Sequence, residues 1–336
     1  RYISVTGVQT CALPILKELG FLPPGHDMKY GWLAFAMWIG VVSNASAQGS
    51  SPAAPMPEVS VGRIERLPPI ASKFVDARPV DVWLPADYTP TKRYQVLYMH
   101  DGQMLFDASK TWNKQAWEVH LSVDRLVRAG KIPDTVVVGV WNNGPQRYNE
   151  YFPEKFLQFL PEGPRAEYVQ EVMSGQARAD NYLRFLVQEL KPLIDARYST
   201  RSDPTGTFVM GSSMGGLISL YAMGEYPQVF GGAAALSTHW IGYGKNPGWI
   251  PLAAGHYLRQ YRANPADHRL YMDHGTTELD ASYGPFQILM NHIVRERGFD
   301  TSNSMSKVFE GEGHNERAWA SRLEIPLVFL MGSPRP

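Results

Sequence analysis

Cysteine is almost absent from the 336-residue sequence, and neither sign of charge is in excess. The single cysteine, Cys11, excludes an internal disulfide and any metal site that needs paired cysteines. Lys and Arg together number 32, as do Asp and Glu, so the formal net charge is +0. Because nucleic-acid binding depends on a basic surplus, a nucleic-acid partner is not expected.

Apolar residues are abundant by comparison, at 44% of the chain, and aromatic residues make up 12%. This content excludes a disordered tail, because a chain this apolar can bury enough surface to fold. A chain of this length can form a large core, and one or two domains are expected.

The first 27 residues are interpreted as an artefactual leader. Residues 1–15 resemble translated sequencing-adaptor sequence, and Cys11 lies among them. An ordinary disordered N-terminus is the alternative. In either case no function is assigned to the cysteine.

A secretory signal peptide is predicted over residues 28–47. A short basic start precedes an apolar run at residues 32–42, and an Ala-x-Ala pattern ends at Ala47. The run is too short for a bilayer-spanning helix, which needs about 20 residues, so no stable membrane anchor is expected. Cleavage near Ala47 would release the protein into the periplasm or the extracellular space. A retained anchor is the alternative.

Removal of residues 1–47 leaves 289 residues that contain no cysteine. The removed segment carries three basic and two acidic residues, so 29 basic residues remain against 30 acidic ones, a net charge of −1. We therefore expect a local pocket, and not a long-range electrostatic field, to capture the substrate. Residues 48–58, rich in Gly, Ser, Ala and Pro, are interpreted as a flexible linker, and residues 59–336 as a single domain.

Strand and helix signals alternate along this domain. The strands are short continuous apolar runs, which predicts an α/β fold with a mostly parallel central sheet and helices on both faces. The predicted strands cover residues 59–67, 79–84, 94–100, 135–140, 207–210, 233–236, 269–272 and 305–309. The predicted helices cover residues 113–128, 179–194, 214–225, 286–297 and 316–330. The irregular stretch 142–178 is too long for a simple connector and is interpreted as an insertion near the site.

A nucleophile motif follows the predicted strand at 207–210. Gly211-Ser212-Ser213-Met214-Gly215 has the pattern G-x-S-x-G, and a helix signal begins at Met214. In this strand–turn–helix setting Ser213 is held in a strained turn with its hydroxyl exposed, and the flanking glycines avoid a steric clash. The N–H of Met214, at the start of the helix, is a candidate donor to a negative charge that forms beside Ser213.

A serine nucleophile needs a base, and the base needs a carboxylate to orient it. His314 is the favoured base because it lies in a glycine-rich turn between the last strand and the last helix. The candidate acids, which follow the chain order Ser…Asp/Glu…His, are Asp273, Glu278 and Asp280. Asp280 is favoured and Glu278 is second. Three further histidines at predicted strand ends are interpreted as structural or pocket-wall residues: His100, His239 and His274.

These motifs together resemble the putative-esterase (esterase D-like) branch of the α/β-hydrolases. That branch includes feruloyl and acetyl-xylan esterases, enterochelin-esterase-like enzymes and mycolyltransferases. The matching stretches are His100-Asp101-Gly102-Gln103, Gly211 to Gly216, Asp273-His274-Gly275-Thr276 with Leu279-Asp280, and Gly313-His314-Asn315-Glu316 with Trp319.

The resemblance implies an α/β-hydrolase fold, with Ser213 as nucleophile and His314 as base. For the acid it implies Glu278 by one family pattern and Asp280 by another, L-D-x-x-Y. It also implies that the N–H of Gln103 is the second donor of the oxyanion hole. The chain departs from several feruloyl esterases, which have H-G-x-G where this sequence has H-D-G-Q.

Loops after the predicted strands carry candidate pocket residues. We expect Trp141, Asn142, Arg147 and Trp240, together with Tyr151 and Tyr243, to line the site at the carboxyl edge of the sheet. They would form a platform for an aromatic acyl group or a sugar, with Arg147 available to an anionic group. The alternative is that the aromatic residues pack the insertion against the body of the protein.

The sequence thus predicts a secreted serine carboxylic-ester hydrolase that acts through an acyl-enzyme. Its substrate is expected to be a small-molecule or carbohydrate ester, and no metal or organic cofactor is expected. An acyltransferase with the same triad is one alternative. A non-catalytic protein that binds ligands with the same fold is the other.

Overall fold

A mixed sheet of eight strands forms the centre of the described part of the protein. The structure is a computed structural model that describes residues 55–243 and 248–332, all within one compact unit. The leader predicted over residues 1–27, the signal peptide over residues 28–47 and most of the linker over residues 48–58 lie outside the described residues.

The strands match the predicted ones, with ends that shift by a few residues. In chain order they are β1 (Arg63–Arg66), β2 (Val80–Leu84), β3 (Gln95–His100), β4 (Thr135–Val140), β5 (Thr207–Ser212), β6 (Gly232–Leu236), β7 (Arg269–Gly275) and β8 (Ser304–Phe309). In space their order is β1-β2-β4-β3-β5-β6-β7-β8. Strand β2 pairs antiparallel with both of its neighbours, β1 and β4, and all the other neighbouring strands pair parallel. The predicted mostly parallel sheet is confirmed.

Helices cover both faces of this sheet. They are α1 (Val119–Arg128), α2 (Arg147–Tyr151), α3 (Glu162–Val172), α4 (Ala179–Arg184), α5 (Lys191–Arg197), α6 (Met214–Glu225), α7 (Trp249–Arg259), α8 (Gly284–Glu296), α9 (Glu316–Arg322) and α10 (Glu324–Met331). Successive side chains of a strand point to opposite faces of the sheet. In β3, Tyr98 therefore belongs to one apolar cluster, and Leu97 and Met99 belong to the other. None of the helices within the described ranges is long and apolar enough to cross a bilayer.

Three predicted helices differ from the observed ones for local reasons. The helix predicted over residues 113–128 begins only at Val119, because Lys114 and Glu118 have left-handed backbones with φ values of 57° and 49°. The C-terminal helix predicted over residues 316–330 is two helices, since Pro326 cannot donate to the carbonyl of Arg322.

The third difference is a π-type turn, Phe185–Leu190, between α4 and α5. It lies in the helix predicted over residues 179–194, and Pro192 comes two residues after it, in the first turn of α5. Proline removes one backbone donor from the helical ladder, and π-turns occur where that ladder is disturbed. Helix α7, which contains Pro251 and Gly255, has no counterpart among the predicted elements.

The stretch 142–178 is not irregular throughout, because it contains α2, α3 and short 3-10 turns. It is joined to the body by a buried ion pair in which Arg78 donates two hydrogen bonds to Glu150, at 2.6 and 2.7 Å. Both side chains are almost fully buried. The pair holds α2 against the segment before β2, which brings Arg147 to the carboxyl edge of the sheet.

Candidate active site

Ser213 lies in a strained turn between β5 and α6. Its φ of 58° and ψ of −123° are unfavourable for a residue with a side chain, and such strain is typical of a nucleophile elbow. Gly211 is required here, because a Cβ at this position would lie 2.7 Å from the backbone of Gly215. Met214 is the first residue of α6, so its N–H has no acceptor within the helix and lies at the positive end of the helix dipole.

His314 and Asp280 form a hydrogen bond of 2.6 Å between Nδ1 and Oδ1. Asp280 is 1% exposed and lies in the 3-10 turn Glu278–Ser282 after β7. Its other oxygen, Oδ2, accepts from the Ser237 hydroxyl at 2.5 Å and from the Gly275 N–H at 2.6 Å. A side chain at Gly275 would not fit here, because a Cβ would lie 2.2 Å from the carbonyl oxygen of Glu312 and 3.1 Å from Oδ2 of Asp280.

The hydrogen bonds of Ser237 determine the direction of its hydroxyl proton. Its oxygen accepts from Trp319 Nε1 and from Arg322 Nη2, both at 2.9 Å. Since indole and guanidinium nitrogens can only donate, the proton of Ser237 is left for Asp280. Asp280 therefore accepts hydrogen bonds on both oxygens and is held as a carboxylate. Because a carboxylate can only accept, the proton on His314 is at Nδ1, and Nε2 is left as an acceptor.

The pKa of Asp280 agrees with this assignment. Burial alone would raise the pKa, but the hydrogen bonds from His314, Ser237 and Gly275 outweigh it and hold the pKa below its ordinary value. Because the same donors fix the orientation of the carboxylate, the imidazole of His314 is held in one position.

The two other candidate acids have different contacts. Glu278 accepts from the backbone N–H of His314 at 2.7 Å and from the side chain of Asn315 at 3.3 Å, so it contacts the loop and not the imidazole. Asp273 is buried in β7, where Arg322 donates to its two oxygens at 3.0 and 3.2 Å. Asp280 is thus the carboxylate that meets the ring of His314.

Tyr283 lies beside Ser213 and His314. Its hydroxyl lies 2.8 Å from Nδ1 of His239 and interacts with the side chain of Ser213, and its ring stands edge-on to His314 with centroids 5.8 Å apart. Burial lowers the pKa of His239 to about 4 and that of His100 to about 3. Both histidines are therefore neutral near pH 7.

Asp101 organises the opposite side of the site, after β3. Its backbone is left-handed, with φ 55°, and Arg147 donates to its two carboxylate oxygens, each at 2.7 Å. Asn142 donates to Oδ1, also at 2.7 Å. Burial alone would raise the pKa of Asp101, but the charge and hydrogen bonds of Arg147 hold it below its ordinary value. The next turn, Gly102–Met104, contains Gln103, whose side-chain oxygen accepts from the Asn142 N–H at 3.2 Å.

The structure brings two of the four predicted pocket residues together at Asp101, and the other two bond different partners. Asn142 and Arg147 surround Asp101, and Trp141 donates from Nε1 to Asp81 at 2.8 Å. Trp240 is completely buried and donates from Nε1 to Gln287 at 2.9 Å, so its indole presents no exposed face. An indole enclosed by core side chains has no surface to offer a substrate.

The two tyrosines predicted for the pocket also differ in exposure. Tyr151 is fully buried and accepts the Asp101 N–H at 3.2 Å. Tyr243 is 49% exposed and stacks on His239, with centroids 4.5 Å apart. Of these aromatic residues, Tyr243 presents the larger free surface next to Tyr283 and His239.

The sequence singled out neither Ser237 nor Arg322. Ser237 directly follows β6. A polar residue just after a buried strand is a candidate for the site, and this is the feature by which His239 was considered. Arg322 carried no such signal, because an arginine in a C-terminal helix usually faces solvent. It is 3% exposed here.

Replacing Ser237 with alanine is expected to lower kcat about tenfold, because a hydrogen bond to a charged group is removed. The loss of this donor also raises the pKa of Asp280. Steady-state kinetics measure the first effect, and an NMR titration of the Asp280 carboxylate measures the second. Ser282→Ala is the matched control, since that hydroxyl bonds the Leu279 carbonyl in the same turn. Equal effects of the two variants would contradict the role of Ser237.

No group of three or more His, Cys, Asp and Glu side chains suited to a metal ion occurs in residues 55–243 and 248–332. The chemistry available in these segments is that of a strained serine, an oriented imidazole and backbone N–H groups. This set can carry out nucleophilic acyl transfer.

Comparison with known proteins adds a family and a fold. The family model "Putative esterase" matches residues 72–328. The chain is 22% identical over 265 residues to the uncharacterized protein YbbA of Bacillus subtilis (strain 168). The match covers 76% of this chain and 92% of YbbA.

Two solved structures are similar at low identity. A ferulic acid esterase has a TM-score of 0.59 at 20% identity and covers 81% of this chain and 98% of its own. The enterobactin esterase FES from Shigella flexneri, in the presence of enterobactin, has a TM-score of 0.59 at 18% identity. The match covers 83% of this chain and 60% of the FES chain. At these identities the likeness establishes the α/β-hydrolase fold.

Proposed function

The chain belongs to the putative esterase family, and on that premise we propose that it hydrolyses carboxylic esters through Ser213, His314 and Asp280. The observation that carries the proposal is the 2.6 Å hydrogen bond between His314 and a carboxylate held by two further donors. This pair lies at the same sheet edge as the strained Ser213. Such an arrangement orients a base toward a nucleophile.

In the proposed mechanism, Nε2 of His314 takes the proton of Ser213, whose oxygen attacks the ester carbonyl. The negative charge that forms on the carbonyl oxygen accepts hydrogen bonds from the N–H groups of Met214 and Gln103. His314 then returns the proton to the leaving alcohol, and water hydrolyses the acyl-enzyme by the same route. Asp280 stabilises the imidazolium in both steps.

The proposed substrate is a small ester or an acylated carbohydrate. Tyr243 flanks the site on the side of His239, and Arg147 flanks it on the side of Asp101. The side chain of Arg147 is 31% exposed although two of its nitrogens bond Asp101. These residues would receive the acyl group. The pattern at residues 28–47 supports export, and residues 59–336 would act as one domain.

The test is labelling with a fluorophosphonate probe, which reacts with activated serines. Ser213→Ala is expected to abolish labelling and to lower kcat for p-nitrophenyl acetate by at least about 10³-fold, because the nucleophile is lost. Ser212→Ala is the matched control, since it removes the neighbouring hydroxyl. Labelling that survives in Ser213→Ala, or that disappears in Ser212→Ala alone, would refute the assignment.

A further inference from the structure

The carboxylate of Asp101 lies beside the turn that carries Ser213. Its Oδ2 is 3.4 Å from the position that a Cβ would occupy at Gly215, the second residue of α6. Asp101 is only 8% exposed, so water screens its charge weakly. The positive end of α6 would have to stabilise the oxyanion in the proposed reaction, and a negative charge next to it opposes that stabilisation. The carboxylate therefore hinders hydrolysis unless its charge is neutralised.

Asp101 also begins the turn that carries Gln103, the second proposed oxyanion donor. The carbonyl of Asp101 accepts from the Met104 N–H at 2.8 Å and so closes the 3-10 turn Gly102–Met104. Gln103 is the second residue of this turn, so its N–H has no acceptor within it. Asp101 thus contacts both turns that carry the proposed donors, and its charge lies next to the place where the oxyanion would form.

Arg147 is the cation that pairs with this carboxylate. It donates from Nε and Nη2 to the two oxygens of Asp101, each at 2.7 Å, and its guanidinium lies over the ring of Tyr151, 5.3 Å from the centroid. An arginine that makes two such bonds fixes the orientation of a carboxylate as well as its charge. Asn142 donates to Oδ1 at 2.7 Å, but an amide brings no charge.

Two further titratable groups next to this pair are neutral. Burial lowers the pKa of His100, which precedes Asp101 in the chain, to about 3. Burial also raises the pKa of Tyr151, whose hydroxyl accepts from the Asp101 N–H. Neither group can offset a carboxylate near pH 7, so the neutralisation of Asp101 depends on Arg147.

We propose that Arg147 is a positioning residue of the oxyanion hole. It neutralises and orients Asp101, so that the first turn of α6 and the Gln103 N–H can stabilise the oxyanion. The inference rests on the proposed hydrolase function. Because the oxyanion forms only after the substrate has bound, this role changes kcat and leaves substrate binding nearly unchanged. Contact between Arg147 and an acyl group would instead change KM.

Arg147→Met is expected to lower kcat for p-nitrophenyl acetate about 100-fold and to change KM less than about threefold, because Asp101 then faces the oxyanion without its cation. Arg147→Lys keeps the charge but not the paired hydrogen bonds, and should lose less than about tenfold. Arg178→Met is the matched control. Arg178 pairs with Asp76 at 3.6 Å, and its side chain is 29% exposed against 31% for Arg147, so kcat should change less than about twofold.

A double variant separates charge neutralisation from simple bracing. Asp101→Asn combined with Arg147→Met leaves no unpaired carboxylate in the interior, so it is expected to fold and to keep kcat within about tenfold of the wild type. A trifluoromethyl ketone, which forms an oxyanion on Ser213, should bind about 100-fold more weakly to Arg147→Met and recover its affinity in the double variant. Circular dichroism checks that each variant is folded. If Arg147→Met does not fold, the double variant and Arg147→Lys decide the question.

A double variant no more active than Arg147→Met, or about 100-fold below the wild type, would show that the pair only braces the turn and would overturn the proposal. A loss confined to mono-p-nitrophenyl succinate, whose acyl group is anionic, would assign Arg147 to substrate binding and would also overturn it. An inactive wild type that does not bind the ketone refutes the hydrolase function and this inference together. An active wild type with an unaffected Arg147→Met overturns only the inference.

Discussion

Asp280→Asn is expected to lower kcat for p-nitrophenyl acetate by about 10⁴-fold. An amide at this position can present its NH₂ group to Nδ1 of His314, which then stabilises the tautomer with the proton on Nε2. That tautomer cannot accept the proton of Ser213, and the imidazolium loses its counter-charge. Steady-state kinetics with the purified variant measure the effect, and circular dichroism checks that the protein is folded.

Glu278→Gln is the matched control for this prediction. Glu278 contacts the backbone of His314, and glutamine keeps an oxygen acceptor for that N–H, so a loss of less than about tenfold is expected. If Asp280→Asn left the rate intact while Glu278→Gln abolished it, Glu278 would be the acid. The choice between two carboxylates two residues apart is therefore open to a direct test.

Arg78→Met is expected to destabilise the protein by about 3–5 kcal/mol, because it leaves the carboxylate of Glu150 buried without its cation. Arg78 bonds both oxygens of Glu150, and both side chains are at most 1% exposed. Burial alone would lower the pKa of Arg78, but the hydrogen bonds and charge of Glu150 raise it above the ordinary value. Urea denaturation followed by fluorescence measures the free energy of unfolding.

Arg63→Met is the control for this stability prediction. Arg63 pairs with Glu65 at 3.4 Å, and the two side chains are 51% and 31% exposed. Exposed pairs contribute about 1 kcal/mol or less, so the change in free energy of unfolding should stay within that range. Similar losses in the two variants would show that burial does not determine the effect of removing the arginine.

Much of the fold was predictable because its signals are local. The runs of valine at residues 135–140 and of alanine at residues 233–236 are buried strands, as their continuous apolar character predicts. The helix predicted over residues 214–225 is observed with the same bounds. The errors occur where backbone geometry or proline interrupts a periodic pattern, as at Glu118 and Pro326.

The site was predictable in its chemistry and less so in its contacts. The glycine-flanked Ser213 and the order serine, carboxylate, histidine are properties of the chain itself, and they predicted Ser213, His314 and a short list of acids as candidates. The pocket was harder, because Trp240 and Tyr243 have similar sequence surroundings. One is enclosed by the core and the other is half exposed.

Local pattern by itself determined the strands, the strained turn at Ser213 and the type of chemistry, because each depends on neighbouring residues. Tertiary structure decided which carboxylate meets His314 and what holds it there. The Ser237 hydroxyl reaches Asp280 across 43 residues of sequence, and Arg322 reaches Ser237 across 85. Such contacts form only when parallel strands bring their carboxyl ends to one edge, and no local pattern encodes which side chains then meet.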